Sequence, residues 1–274
     1  MIKSILAVSE GGPDAAMAYR LARELGGMFG AGIEAVHYPS TIRGIAAGMV
    51  DGIGGSSIVV WEEGRLEARA ETSSSAYAAE LGQVSGASYV SAQNPDFDDL
   101  LARARTTDIM VVGRPGSDPD NDSPATVQVA LYEASCPLLV APPSPTLGGL
   151  ERVAIAWNGS QQAARAVRLA LPFLQAAKEV NVVVVGADQH PIGTKRLAGW
   201  LGGHGVTIRT ASIDPGAVSA RARGRAVLAF AHDSGANLLV MGAYGQGKVM
   251  EFLGLGGATA KVISSCRVPV LMAH

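Results

Sequence analysis

The chain repeats itself, and that limits it to folds whose unit can stand twice in a row. Asp108-Ile109-Met110-Val111-Val112-Gly113-Arg114-Pro115-Gly116 lines up with Asn237-Leu238-Leu239-Val240-Met241-Gly242-Ala243-Tyr244-Gly245. Cys136-Pro137-Leu138-Leu139-Val140-Ala141 lines up with Val268-Pro269-Val270-Leu271-Met272-Ala273, and Ala7-Val8-Ser9-Glu10-Gly11 with Ile155-Ala156-Trp157-Asn158-Gly159. Between the copies lies Pro142-Pro143-Ser144-Pro145-Thr146-Leu147-Gly148-Gly149, whose prolines and glycines read as a linker. The expected division is a first domain over 1–142, a linker over 143–150 and a second domain over 151–274.

Within each copy, short apolar runs alternate with stretches of helical spacing. Strands are expected at 3–8, 33–38, 88–92, 109–112 and 137–141, then at 152–157, 180–185, 206–212, 238–241 and 268–272. Runs of four to eight apolar residues bounded by turn signals suit strands buried on both faces. Helices are expected from a cap at Asp14, over 62–81, 96–105 and 125–134, and from a cap at Ser160, over 194–201, over 217–234 and from about Thr259. Residues 44–57 carry five glycines and read as a mobile loop, and 115–124 as a polar one. Strictly alternating strands and helices give open parallel sheets covered on both faces. The fold class is therefore α/β, as two tandem Rossmann-like units.

Residues 237–273 carry the chemistry. A buried strand ends at Gly242, Gly245 follows, and Gly256-Gly257-Ala258-Thr259 opens a helix. Glycines let backbone N–H groups approach an anion, and a helix start adds free N–H groups and the positive end of its dipole. Phosphate suits such a loop, with Thr259 as a hydroxyl donor. Read alone, two close glycines after a strand are also plain turn residues.

Gly242-Ala243-Tyr244-Gly245, a spacer, Gly256-Gly257-Ala258-Thr259, a helix and a terminal Val-Pro-Val-Leu-Met strand together resemble the universal stress protein family, of the tandem type. The resemblance covers nearly the whole chain. It implies an adenine nucleotide alpha hydrolase-like fold and an internal pseudo-dimer, in which the last strands pair, 138–141 against 270–273. That pairing has a physical motive, because it hides two apolar edge strands. The resemblance also implies ATP or another adenine nucleotide in the C-terminal half, held by Asn158, Gly242, Gly245, Gly256, Gly257 and Thr259. Two departures stand out. The spacer 246–255 is one residue longer than the family's, and Gly257 stands where a phosphate-binding Ser or Thr is expected. Asn158 replaces an acidic residue, and reads first as a turn residue.

The first copy keeps Gly113 and Gly116 but follows them with Asp118, Asp120 and Asp122, which would repel a phosphate. That stretch reads as a solvated loop, without the Gly and distal Glu of a calcium loop. His37, His190, His204, His232 and His274 form no metal-ligand spacing. His37 reads as structural, and His232 beside Asp233 as a complement to a helix end. Cys136 and Cys266 read as core thiols. Ser9-Glu10-Gly11-Gly12-Pro13-Asp14-Ala15 resembles a pyrophosphatase loop only loosely, and no nucleophile–base set emerges.

Composition excludes other classes. Hydrophobic residues make up 48% and charged ones 17%, with a formal net charge of −2. No basic block supports nucleic-acid binding. No apolar run approaches a membrane span, and the N-terminus reads as a strand rather than a signal peptide. The expectation is a cytoplasmic stress-response protein that binds rather than catalyses, compatible with further homodimerisation. Its alternatives are a scaffold of the same fold acting through protein partners, or a slow ATPase.

Overall fold

A computed structural model describes residues 1–39, 55–91, 97–116, 122, 124–185, 191–213, 219–243 and 257–274. The first half runs β1 (Ser4–Ser9), α1 (Ala16–Phe29), β2 (Gly32–His37), α2 (Gly55–Glu80), β3 (Ala87–Ser91), α3 (Phe97–Ala104), β4 (Ile109–Gly113), α4 (Pro124–Glu133) and β5 (Leu138–Ala141). The second half begins with β6 (Arg152–Ala156), α5 (Gln161–Leu169), α6 (Leu171–Ala176), β7 (Glu179–Val185), α7 (Pro191–Gly203) and β8 (Ile208–Ile213). It ends with α8 (Ala220–Asp233), β9 (Leu238–Gly242), α9 (Ala258–Ser265) and β10 (Val270–Ala273).

Among the described residues ten strands join one sheet, ordered β3-β2-β1-β4-β5-β10-β9-β6-β7-β8. Every neighbouring pair is parallel except β5 and β10, which run antiparallel with Val140, Leu139 and Leu138 opposite Val270, Leu271 and Met272. The two halves are thus related by an approximate twofold through this seam, as the repeat requires. β5 and β10 are buried at every position, so each half supplies the apolar edge that the other covers.

Strand alternation splits the core into two layers. Ile5, Ala7, Val111, Leu139, Leu271, Val240 and Ile155 face one side. Leu6, Val8, Met110, Val140, Val270, Leu239 and Ala154 face the other. Each layer crosses the seam without a break. Arg114 Nη1 adds a polar contact across it, donating to the carbonyl of Cys266 at 3.0 Å, while the Leu147 N–H ties the linker to α1 by donating to Glu24 Oε2 at 2.6 Å.

Four expectations need correction. Helix α2 begins at Gly55, so 55–57 are helical rather than loop, and the rest of the expected loop, 44–54, lies outside the described residues. Helix α1 starts at Ala16 with no side-chain cap, because only the backbone carbonyl of Asp14 accepts, from Met17. The helix after Ser160 is two helices: Pro172, at the start of α6, lacks the N–H that would continue α5. The fourth concerns Asp122 and belongs to the site.

Candidate functional site

Strand order reverses between β1 and β4 in the first half and between β6 and β9 in the second, and the carboxyl ends of these strands are where ligands of open α/β sheets sit. The two ends are built very differently.

In the second half, β6 runs into Trp157-Asn158-Gly159-Ser160. Asn158 Oδ1 accepts from the Ser160 N–H at 3.1 Å, and Gly159 has φ +71°. Ser160 caps α5 as expected, its Oγ accepting from the Ala163 N–H at 3.2 Å. This turn places the start of α5 directly over the end of β9. A Cβ on Gly242 would lie 2.5 Å from Ala163 N and 2.7 Å from the Gln162 carbonyl carbon, so only glycine permits the approach. The structure therefore brings Asn158 and Gly242 to one end of adjacent strands. Gly245 and Gly256 lie outside the described residues.

Gly257 is buried and extended, and precedes α9 without a side-chain cap. Gly257 offers no side chain to cap α9, and a helix start without a capping side chain attracts an anion. Thr259 is buried in its first turn. The indole N–H of Trp157 is buried at the same end of β6 with no hydrogen-bond partner among the described residues.

The first half is filled by its own side chains. Ser9, Glu10, His37, Arg69, Ser73 and Thr126 are all buried there. The Thr126 hydroxyl donates to Glu10 Oε1, and Arg69 Nη1 donates to the Glu10 carbonyl at 3.2 Å. Helix α2 presses so closely that a Cβ on Gly11, at φ +74°, would meet the Arg69 carbonyl oxygen at 2.1 Å. Tyr19 and Ser73 share a 2.8 Å hydroxyl contact, and burial pushes the Tyr19 phenol up. His37 Nδ1 lies 3.2 Å from the Ser9 carbonyl, while its Nε2 has no hydrogen-bond partner among the described residues. Burial, foremost, holds the imidazole below its ordinary pKa and favours its neutral form.

Asp122 is the fourth correction. It is not a solvated loop residue: its Oδ1 is buried without a hydrogen-bond partner among the described residues, and its carboxyl is raised to about 7, first by burial and then by the charge of Glu10. Arg69 and the Gly12 N–H oppose that rise. Asp118 and Asp120 lie outside the described residues. The sequence reading also passed over Glu10, Arg69 and Thr126 as partners. A signal for Glu10 was present, because the repeat sets it opposite Asn158, the position of the family's acidic residue.

Elsewhere, His232 Nδ1 and Asp233 Oδ1 are 3.1 Å apart on the exposed end of α8. Burial pushes the Cys136 thiol to about 11 and the Cys266 thiol to about 12, in keeping with inert thiols. Among the described residues no His, Cys, Asp or Glu group could hold a metal ion, and no helix is long and apolar enough to cross a membrane.

Fold and site together define a two-unit α/β protein whose first-half strand end is filled by its own side chains. The chain has the two-unit universal stress protein fold, and the family's model matches residues 217–274. A universal stress protein from Archaeoglobus fulgidus superposes with a TM-score of 0.65 at 16% identity, covering 98% of this chain and 97% of its own. A functionally unknown protein from Pseudomonas aeruginosa PAO1 superposes with a TM-score of 0.57 at 14% identity, covering 99% and 92%. No curated protein matches by sequence. The resemblance read from Gly242-Ala243-Tyr244-Gly245 onward is borne out, and so are the α/β class and the tandem units.

Proposed function

We propose that this protein is a tandem universal stress protein of the cytoplasm that acts by holding an adenine nucleotide in its C-terminal half, without turnover. The observation that carries the reading is the start of α9 at Gly257. It has no side-chain cap, and it follows a strand whose end, at Gly242, is stripped to backbone. An anion there meets N–H groups and the positive helix end, while Asn158 and the Trp157 indole offer polar atoms nearby. The self-filled first half supports one nucleotide per chain rather than two. Of Trp157, Asn158, Ser160, Gly242, Gly257 and Thr259, none is a general base, which supports binding without catalysis.

The test is direct. The purified chain is denatured and its supernatant separated by chromatography. Near-stoichiometric adenine nucleotide, or recovery of it after incubation with ATP, supports the reading, and Gly256→Trp should abolish it. No nucleotide, with no binding at millimolar ATP, overturns it. One observation favours a second reading, a scaffold that acts through protein partners: Asn158 Oδ1 is already committed to Ser160. That reading requires partner binding to survive Gly256→Trp.

A further inference from the structure

The buried polar atoms left without a hydrogen-bond partner among the described residues differ between the two strand ends. At the second-half end the orphan is a donor, the Trp157 indole N–H. At the first-half end the orphans are acceptors. His37 supplies one. Its Nδ1 faces the Ser9 carbonyl, which can only accept, so Nδ1 carries the hydrogen and Nε2 offers a lone pair. Asp122 Oδ1 is the other, an acceptor whenever the carboxyl is ionised. The remaining orphan, the Tyr89 hydroxyl on β3, can play either role.

A buried cation faces these acceptors. Arg69 of α2 donates from Nη1 to the Glu10 carbonyl at 3.2 Å, and its charge acts on both His37 and Asp122. Glu10 brings a second carboxylate, whose Oε1 accepts from Thr126. Asp122 lies against the end of β4, where a Cβ on Gly113 would meet its Oδ2 at 2.7 Å. The backbone of Arg69 is itself pressed on Gly11, so α2 is seated beside the strand end that its side chain enters. With both carboxylates ionised, two negative charges face one positive charge, and a buried charge without its match is costly. Among the described residues no three of His, Cys, Asp or Glu gather to hold a metal ion. A planar cation with several N–H groups suits separated acceptors better, because it can reach more than one of them at once.

We propose that the first-half strand end is a binding site for a guanidinium-type cation, with Arg69 as its tethered occupant. Helix α2 is then a built-in ligand, filling from within the chain a site that would otherwise take a free cation. The two strand ends have opposite needs, one for donors and one for acceptors. The inference holds whether or not the second half takes a nucleotide.

The test removes the occupant and offers a free one, at pH 8, above the value of about 7 at which Asp122 ionises. Arg69→Ala should melt about 5–10 °C below the natural chain, as loss of one member of a buried ion pair does. Guanidinium chloride at about 20 mM, far below denaturing concentrations, should restore several of those degrees. Sodium chloride at the same concentration should not, and neither should urea, which has a similar planar shape without the charge. The natural chain, whose site is filled, should gain nothing from any of the three. Adding Asp122→Asn to Arg69→Ala should weaken the guanidinium effect. The inference is overturned by no rise with guanidinium, by an equal rise with sodium chloride or urea, by a rise in the natural chain, or by a rise indifferent to Asp122→Asn. Should Arg69→Ala not fold, Arg69→Lys and Arg69→Met decide without opening a large cavity. The lysine variant keeps the charge and should melt several degrees above the methionine one, and an equal or reversed order overturns the inference.

Discussion

Leu139 of β5 stands directly opposite Leu271 of β10, and both side chains are fully buried. This pair sits at the centre of the only antiparallel junction among the described strands, with the core layer of each half continuing through it. The halves are therefore not independent beads on a linker. Leu271→Ala should cost about 2–5 kcal/mol, the range for emptying a well-packed leucine site. Urea unfolding should show one transition for both halves, in the natural chain and in the variant. Two separated transitions in the natural chain would mean that the seam does not couple the halves.

Gly242 makes a sharper demand, because its neighbours are backbone atoms that cannot turn aside. Gly242→Ala should displace the start of α5 and destabilise by about 1–3 kcal/mol, as overpacking does. The same shift moves Ser160 and Asn158, so nucleotide binding should weaken with it. A melt and an ATP titration on one sample check both. An unchanged melting temperature would show that α5 yields freely.

These sites differ in how far they could be read from the sequence. The seam was legible: two aligned copies of a terminal apolar strand, each needing a cover, leave few other pairings. The start of α5 was legible because Ser160 is a cap type at the right place, and its hydroxyl takes the Ala163 N–H. Helix α2 was read too short, since Gly55, Ser56 and Ser57 are poor helix formers. The first-half cluster was not legible at all. Glu10, Arg69 and Asp122 are brought together by the fold from far apart in the chain, and nothing local distinguishes a buried carboxylate from a solvated one. In the second half, the pattern points to Asn158, Gly242, Gly257 and Thr259, and the structure brings Asn158 and Gly242 to one end of adjacent strands because Gly242 lets the start of α5 approach.

The thiols give a simple check on the packing near the seam. Cys136 and Cys266 are raised to about 11 and about 12 by burial, so little thiolate exists near neutral pH. Iodoacetamide at pH 8 should leave both unmodified in the folded chain and alkylate both in urea, as mass spectrometry would read. Rapid labelling of Cys266 in the folded chain would mean that α9 opens from the sheet.

Asp122 carries the pH dependence. Its carboxyl has an ordinary value of 3.8 when unfolded and about 7 when folded, so between these values the folded chain holds a proton that the unfolded chain has lost. Raising the pH through this interval therefore destabilises the fold, by about 4 kcal/mol at most, and the loss is complete above about 7. Glu10 and Asp14 push in this direction, while Arg69 and the Gly12 N–H resist it. Other carboxylates act oppositely: Asp108, held low foremost by the Lys3 N–H, contributes stability that disappears in acid. Whole-protein melting curves mix these effects, so the informative quantity is the difference between the natural chain and Asp122→Asn. The amide keeps an oxygen for the Gly12 N–H and removes the charge beside Glu10. It should leave stability nearly unchanged at pH 4 and raise it by a few kcal/mol at pH 8. Equal gains at both pH values would place the benefit in packing and not in the carboxylate pair. A loss at pH 8 would mean that the Asp122 charge is needed to hold Arg69, and that the first half is stabilised by an ion pair rather than by a shared proton.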